Sequence, residues 1–154
     1  MTQDEPRIGG RYGFTVTRIF QAPREHVWKE WTEPARFADW FGGPTAEVPL
    51  SSVSMDVQPG GAWELTMLVA PAHEIHWRGE YLEVDPPERL VFTVSDQPGG
   101  ERYELVSVAL RDLGDGRTEM HFEQRGHMRP EDYDRTKQGW GSFFDHLDAR
   151  LARE

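Results

Sequence analysis

Residues 130–153 read PEDYDRTKQGWGSFFDHLDARLAR, and no other stretch is both long and regular enough for a long helix. Tyr133, Thr136, Trp140, Phe143, Phe144, Leu147 and Leu151 recur at spacings of three and four, which lays them along one helix face. Pro130 takes a first-turn position that tolerates proline. Glu131 and Asp132 follow it at the positive end of the helix dipole. The stripe holds a Trp and two Phe, more apolar area than a surface helix needs. Gly139 and Gly141 flank that Trp, although a glycine inside a helix costs about 1 kcal/mol relative to Ala. The pair predicts that something approaches the helix backbone closely.

A stripe of this size needs a cover, and the preceding residues predict a sheet. Phe14, Val16 and Phe20 alternate with Thr15 and Thr17, with Arg18 on the inward parity. Ala22-Pro23 then opens a short helix to about Thr32 with Val27, Trp28 and Trp31 on its buried edge. Glu33-Pro34 breaks that helix, and a second one follows over Ala35–Trp40.

From Ser52 onward, strands alternate with turns. Val53, Met55 and Val57 share one parity, and Pro59-Gly60-Gly61 turns. Trp63, Leu65, Met67 and Val69 follow, and residues 74–84 form a strand with Trp77, Gly79 and Tyr81 on one side. Asp85-Pro86-Pro87-Glu88 turns into Leu90, Phe92 and Val94. Gln97-Pro98-Gly99-Gly100 precedes Val106, Val108 and Leu110, and Gly114-Asp115-Gly116 leads to Thr118, Met120, Phe122 and Gln124. Clean alternation gives an antiparallel sheet one wet and one dry face. The fold class expected is α+β: an antiparallel sheet of six to seven strands wrapped around a long C-terminal helix, with two short helices after strand 1. Residues 1–11 are expected to be a flexible tail, and 12–154 one domain.

Composition narrows the chemistry. The chain has no Cys, which excludes disulfides, thiol catalysis and thiolate metal sites and fits a cytoplasmic protein. There is no membrane-length apolar run and no signal-peptide pattern at the N-terminus. Seventeen basic against 27 acidic residues give a net charge of −10, which opposes binding to nucleic acid or an anionic membrane. Arg far outnumbers Lys, as in proteins of GC-rich bacterial genomes.

No catalytic pattern stands out. His73 and His76 are three apart on a strand and point to opposite faces, so they do not jointly hold a metal. A zinc-binding helix pair, a nucleophile elbow and a phosphate-cradling loop are all missing. No cofactor is expected. Inward polar residues are few: Arg18, Tyr81, Tyr103 and Gln124, each equally suited to fixing the core by hydrogen bonding.

Aromatic residues are the stronger signal. Trp40, Phe41, Trp63, Tyr81, Phe92, Tyr103, Phe122, Trp140, Phe143 and Phe144 are expected to converge between sheet and helix. Leu65, Met67, Val108 and Leu147 are their apolar neighbours, and Gln124 is a polar group among them. For most of these residues singly, filling the core is the plainer role. Collectively they have the make-up of a small-molecule pocket. Met55, Met67 and Met120 share the inward parity and adapt to irregular shapes.

The order of elements resembles the START-like, or SRPBCC, superfamily with its helix-grip fold. Within it, the chain resembles the branch named after the activator of Hsp90 ATPase. The resemblance rests on Phe20-Gln21-Ala22-Pro23, Val27-Trp28, Trp31-Thr32, Pro34 and Trp40-Phe41. It extends through Pro59-Gly60-Gly61, Gly79 to Pro87 and Arg89-Leu90-Val91-Phe92 to Gly139-Trp140, Phe143, Phe144, Leu147 and Leu151. It implies a ligand cavity between sheet and C-terminal helix for a hydrophobic or polyaromatic small molecule, serving sequestration, transport or antibiotic self-resistance. Relatives also include polyketide cyclases and chaperone-related interaction modules, so both remain as alternatives. Pairing of two copies is left open, and binding is preferred over catalysis.

Overall fold

The computed structural model describes residues 12–69, 72–97 and 102–153. The expected tail over 1–11 and most of the Gln97–Gly100 turn lie outside them. Strand β1 (Tyr12–Phe20) leads into α1 (Arg24–Thr32) and α2 (Pro34–Trp40). Strands β2 (Ala46–Glu47) and β3 (Ser54–Met55) follow, with single 3-10 turns at Gly43–Thr45 and Leu50–Ser52. Then come β4 (Ala62–Val69), β5 (His73–Asp85), β6 (Arg89–Val94), β7 (Glu104–Gly114), β8 (Arg117–Gly126) and α3 (Pro130–Ala152). The result is an open antiparallel sheet in the order β1-β8-β7-β6-β5-β4-β2, with β3 also on β4 and the helices on one face. This is the helix-grip arrangement, with eight strands instead of six or seven because β2 and β3 are separate two-residue pieces.

Those short pieces correct the expected strand over Ser52–Gln58. Only Ser54 and Met55 pair with β4, opposite Glu64 and Trp63. The Ser52 hydroxyl takes over part of the ladder's role. It accepts a hydrogen bond from the Thr66 amide at 3.1 Å and donates one to the Pro49 carbonyl at 2.7 Å. A side-chain acceptor thus satisfies an edge amide that would otherwise need another strand.

Registers place the inward residues in rows: Phe92 opposes Val106, Val106 opposes Gln124, and Val108 opposes Phe122. A bulge between Tyr81 and Glu83 resets the parity of β5, so Val84 follows Tyr81 on the side of Leu90 while Leu82 turns outward. Gly79 allows the sheet to close beneath Trp63. A Cβ there would fall 1.7 Å from the Thr93 carbonyl oxygen and 2.5 Å from the Trp63 ring nitrogen.

Helix α3 buries Tyr133, Trp140, Phe144, Leu147 and Leu151 of the expected stripe, while Thr136 and Phe143 are half-buried. Its glycines overturn one expectation. No described atom lies within 4 Å of a Cβ built on Gly139 or Gly141, so neither is there for close approach. What holds the far end of α3 is charge. Glu30 of α1 is fully buried, and its carboxylate accepts from Arg150 Nε at 2.7 Å and Arg36 NH1 at 3.2 Å. Arg150 also pairs with Asp39 of α2. The Glu30 hydrogen bond, ahead of the other influences, holds the Arg150 guanidinium more firmly protonated than usual. One cluster therefore ties α3 to both short helices.

Candidate functional site

The elements bring most of the expected aromatic residues to one place. Trp40 and Phe41 come from α2 and its end, Trp63, Leu65 and Met67 from β4, and Tyr81 from β5. Phe92 comes from β6, Val108 from β7, Phe122 and Gln124 from β8, and Trp140, Phe144 and Leu147 from α3; all are buried. Phe143 is half-buried at the margin, 5.3 Å from Phe41 between ring centroids. Tyr103 is a correction: it precedes β7 and stands 46% exposed, because the ladder begins only at Glu104 and leaves it without an inward parity.

The α3 side of this interior is filled by its own side chains. Trp140 and Phe122 are 4.7 Å apart between centroids, Phe122 and Phe144 are 5.2 Å, and Trp140 and Phe144 are 5.6 Å. A void remains instead against α1 and α2. It measures about 10 Å³ and is lined by Trp31, Phe37, Met55, Trp63, Tyr81, Leu90 and Phe92. This void lies between the sheet and the helix pair, next to the aromatic cluster that packs on α3.

Sequence reasoning placed Trp31 only on a buried helix edge, but it is a junction. Its ring meets Trp40 edge-on at 4.9 Å and lies 6.1 Å from Trp140, 6.2 Å from Phe92 and 6.3 Å from Phe122. The available signal was the pair of short helices. Two helices set against a sheet leave an angle, and the largest residue on the first helix's inward edge has to fill it.

Polar groups in the interior are mostly matched. Trp40 donates to the Glu30 carbonyl at 2.9 Å and Trp63 to the Thr93 carbonyl at 3.0 Å. Trp140 donates to Gln124 Oε1 at 2.8 Å. The Gln124 amide donates to Glu104 at 3.0 Å, and the Tyr133 hydroxyl donates to the same carboxylate at 2.6 Å. Gln124 is therefore fully used as a structural link between sheet and helix. Arg18 sits at the rim, 2.7 Å from Asp145 and 5.9 Å from the centre of the Phe144 ring. The buried Trp31 indole nitrogen has no acceptor among the described residues.

Burial, and secondarily the Asp56 charge, push the Tyr81 phenol well above its ordinary pKa, so it stays protonated. No histidine lines the void. His76 meets Thr66 and Glu74 on an exposed strand face, and His121 meets Glu119 on the outer face. No cluster of three potential metal ligands occurs among the described residues. An open groove of about 550 Å³ beside Ala46, Leu68, Val69 and His73 shares no residue with the aromatic interior. No described helix is long and apolar enough to cross a membrane.

The family model described as activator of Hsp90 ATPase homolog 1-like protein matches residues 21–152. The chain is similar to the crystal structure of protein CV1439 from Chromobacterium violaceum, with 25% identity and a TM-score of 0.78 over 90% of this chain and 96% of that one. A Silicibacter pomeroyi protein named AHSA1 is 22% identical with a TM-score of 0.80, covering 92% of this chain and 98% of its own. CalU16 from Micromonospora echinospora is 21% identical with a TM-score of 0.64, covering 88% and 73%. The latter two likenesses speak for the fold alone. No curated protein matches the chain.

Proposed function

We propose that this chain, which belongs to the activator of Hsp90 ATPase homolog 1-like family, binds a flat hydrophobic small molecule inside the domain and serves to carry or sequester it. The fold family commonly binds hydrophobic ligands, which supports the reading. The observation that carries it is the wall composition of the void: Trp31, Phe37, Trp63, Tyr81 and Phe92 converge there, with Met55 and Leu90 closing the sides. Flat rings set edge to face present both π faces and ring edges to a guest, a lining suited to aromatic molecules.

The void has room for about one water, so a guest enters by displacing a wall. The wall least held is Met55. Its strand has only two residues, both paired to β4 alone, and its thioether is the most adaptable lining group. Catalysis has no comparable support, because the void presents one protonated phenol and no base.

Intrinsic fluorescence tests this directly, because the quenchable Trp31 and Trp63 line the void. Titration with a panel of flat polycyclic compounds is expected to give saturable quenching at one molecule per chain for at least one scaffold. Linear, unsaturated quenching across the whole panel contradicts the proposal.

A further inference from the structure

Three of the indole N–H groups that reach the interior have acceptors: Trp40 on Glu30, Trp63 on Thr93 and Trp140 on Gln124. Trp31 and the partly buried Trp77 have none, and of these two only Trp31 lines the void. Trp31 is 1% exposed, and its ring nitrogen has no acceptor among the described residues. Leaving a buried donor unmet costs about 1–3 kcal/mol, and native interiors leave few such groups without a reason. The residues around the void do not relieve it. Phe37, Met55, Leu90 and Phe92 offer no oxygen or nitrogen in their side chains, and the Trp63 ring nitrogen is a donor engaged elsewhere. Tyr81 has a hydroxyl oxygen that could accept, but it makes no hydrogen bond with the Trp31 nitrogen. The void is therefore largely apolar, and one indole donor in its wall is met by none of the lining groups.

We infer that Trp31 selects the ligand: the molecule that fills this site is a flat aromatic ring system bearing an acceptor oxygen, a carbonyl for example, that takes the Trp31 N–H. This rests on the binding reading above and sharpens it from hydrophobic molecules in general to acceptor-bearing ones. The discrimination has a physical basis. A hydrocarbon of the same outline buries the same area but leaves the indole donor unmet. A carbonyl meets it and gives up its own hydration for a partner already fixed in place. Sites that require a hydrogen bond reject analogues lacking the group far more strongly than sites that only measure size.

A matched pair of probes tests this. 9-Fluorenone and fluorene share a flat tricyclic outline and differ by a carbonyl in place of a methylene. Equilibrium dialysis against the wild-type protein is expected to give at least tenfold tighter binding of fluorenone. Trp31→Phe is expected to bring the two affinities within about twofold of each other, mainly by weakening fluorenone. Equal affinity of the wild type for both probes overturns the inference while leaving the binding reading intact, and so does a preference that persists in Trp31→Phe. Binding of neither probe overturns the inference, while the binding reading is decided by the panel titration. Should Trp31→Phe not fold, the wild-type indole N–H resonances read the same contrast. Fluorenone is expected to shift the Trp31 signal downfield and fluorene to leave it in place; equal shifts with both overturn the inference.

Discussion

Replacing Glu30 by Gln keeps the shape of α1 and removes one charge from the centre of the cluster that joins all three helices. The carboxylate is fully buried. It accepts from Arg150 Nε at 2.7 Å, Arg150 NH2 at 3.3 Å and Arg36 NH1 at 3.2 Å. Breaking a buried ion pair by removing one partner costs about 3–5 kcal/mol when the remaining charge is stranded. Here the stranding is partial. The Arg150 side chain is 18% exposed and keeps Asp39, while Arg36 is 36% exposed and keeps Glu33. The glutamine oxygen also still accepts one hydrogen bond. A loss of about 2–3 kcal/mol follows, equivalent to a melting temperature lower by roughly 5–10 °C for a domain of this size. Urea unfolding followed by tryptophan fluorescence measures it. Arg36→Ala is the control and should cost less than about 1 kcal/mol, since its carboxylate partners are shared and its side chain is partly exposed. A Glu30→Gln loss under about 1 kcal/mol, or one no larger than that of Arg36→Ala, would refute the claim that this cluster clamps α3 to the wall carrying Trp31 and Phe37.

Two further expectations concern glycines. Gly139→Ala and Gly141→Ala should each stabilise the protein by up to about 1 kcal/mol, because the helix gains propensity and the added methyl meets open space; destabilisation by either in urea unfolding would show that the backbone is approached after all. Gly79→Ala should cost at least about 3 kcal/mol, since its Cβ would stand 1.7 Å from the Thr93 oxygen and the sheet would have to part to admit it. An unchanged urea midpoint for that variant would contradict the described β5 backbone.

The architecture was largely legible because period and punctuation agree. The stripe of α3 and the alternation of β4, β6, β7 and β8 each bury the residues their parity assigns. Local pattern failed where the backbone departs from periodicity. Ser52–Gln58 alternates, yet Pro49 and the 3-10 turn at Leu50–Ser52 leave only two residues able to reach β4. The bulge after Tyr81 turns Leu82 outward for the same kind of reason.

The buried aromatic cluster was legible as a set of residues, whereas the void beside it was not. Parity sends Trp63, Tyr81 and Phe92 inward, but no pattern tells how α1 and α2 lean on the sheet. That angle decides that Trp140, Phe122 and Phe144 close on one another while a void survives beside Trp31. Glycines in α3 suggested a close neighbour because their cost is visible in sequence, whereas the empty space around them is a tertiary property.

The central claim is that a flat ligand occupies the space between the sheet and α1–α2, next to Met55. The direct measurement is an intermolecular nuclear Overhauser experiment on protein labelled at its methionine methyls and saturated with fluorenone. Met55 lines the void, whereas Met120 is buried elsewhere in the core. Strong cross-peaks from the ligand to the Met55 methyl, and none to that of Met120, are the expected result. Cross-peaks to Met120 without Met55, or none to any methionine at saturation, would contradict the account.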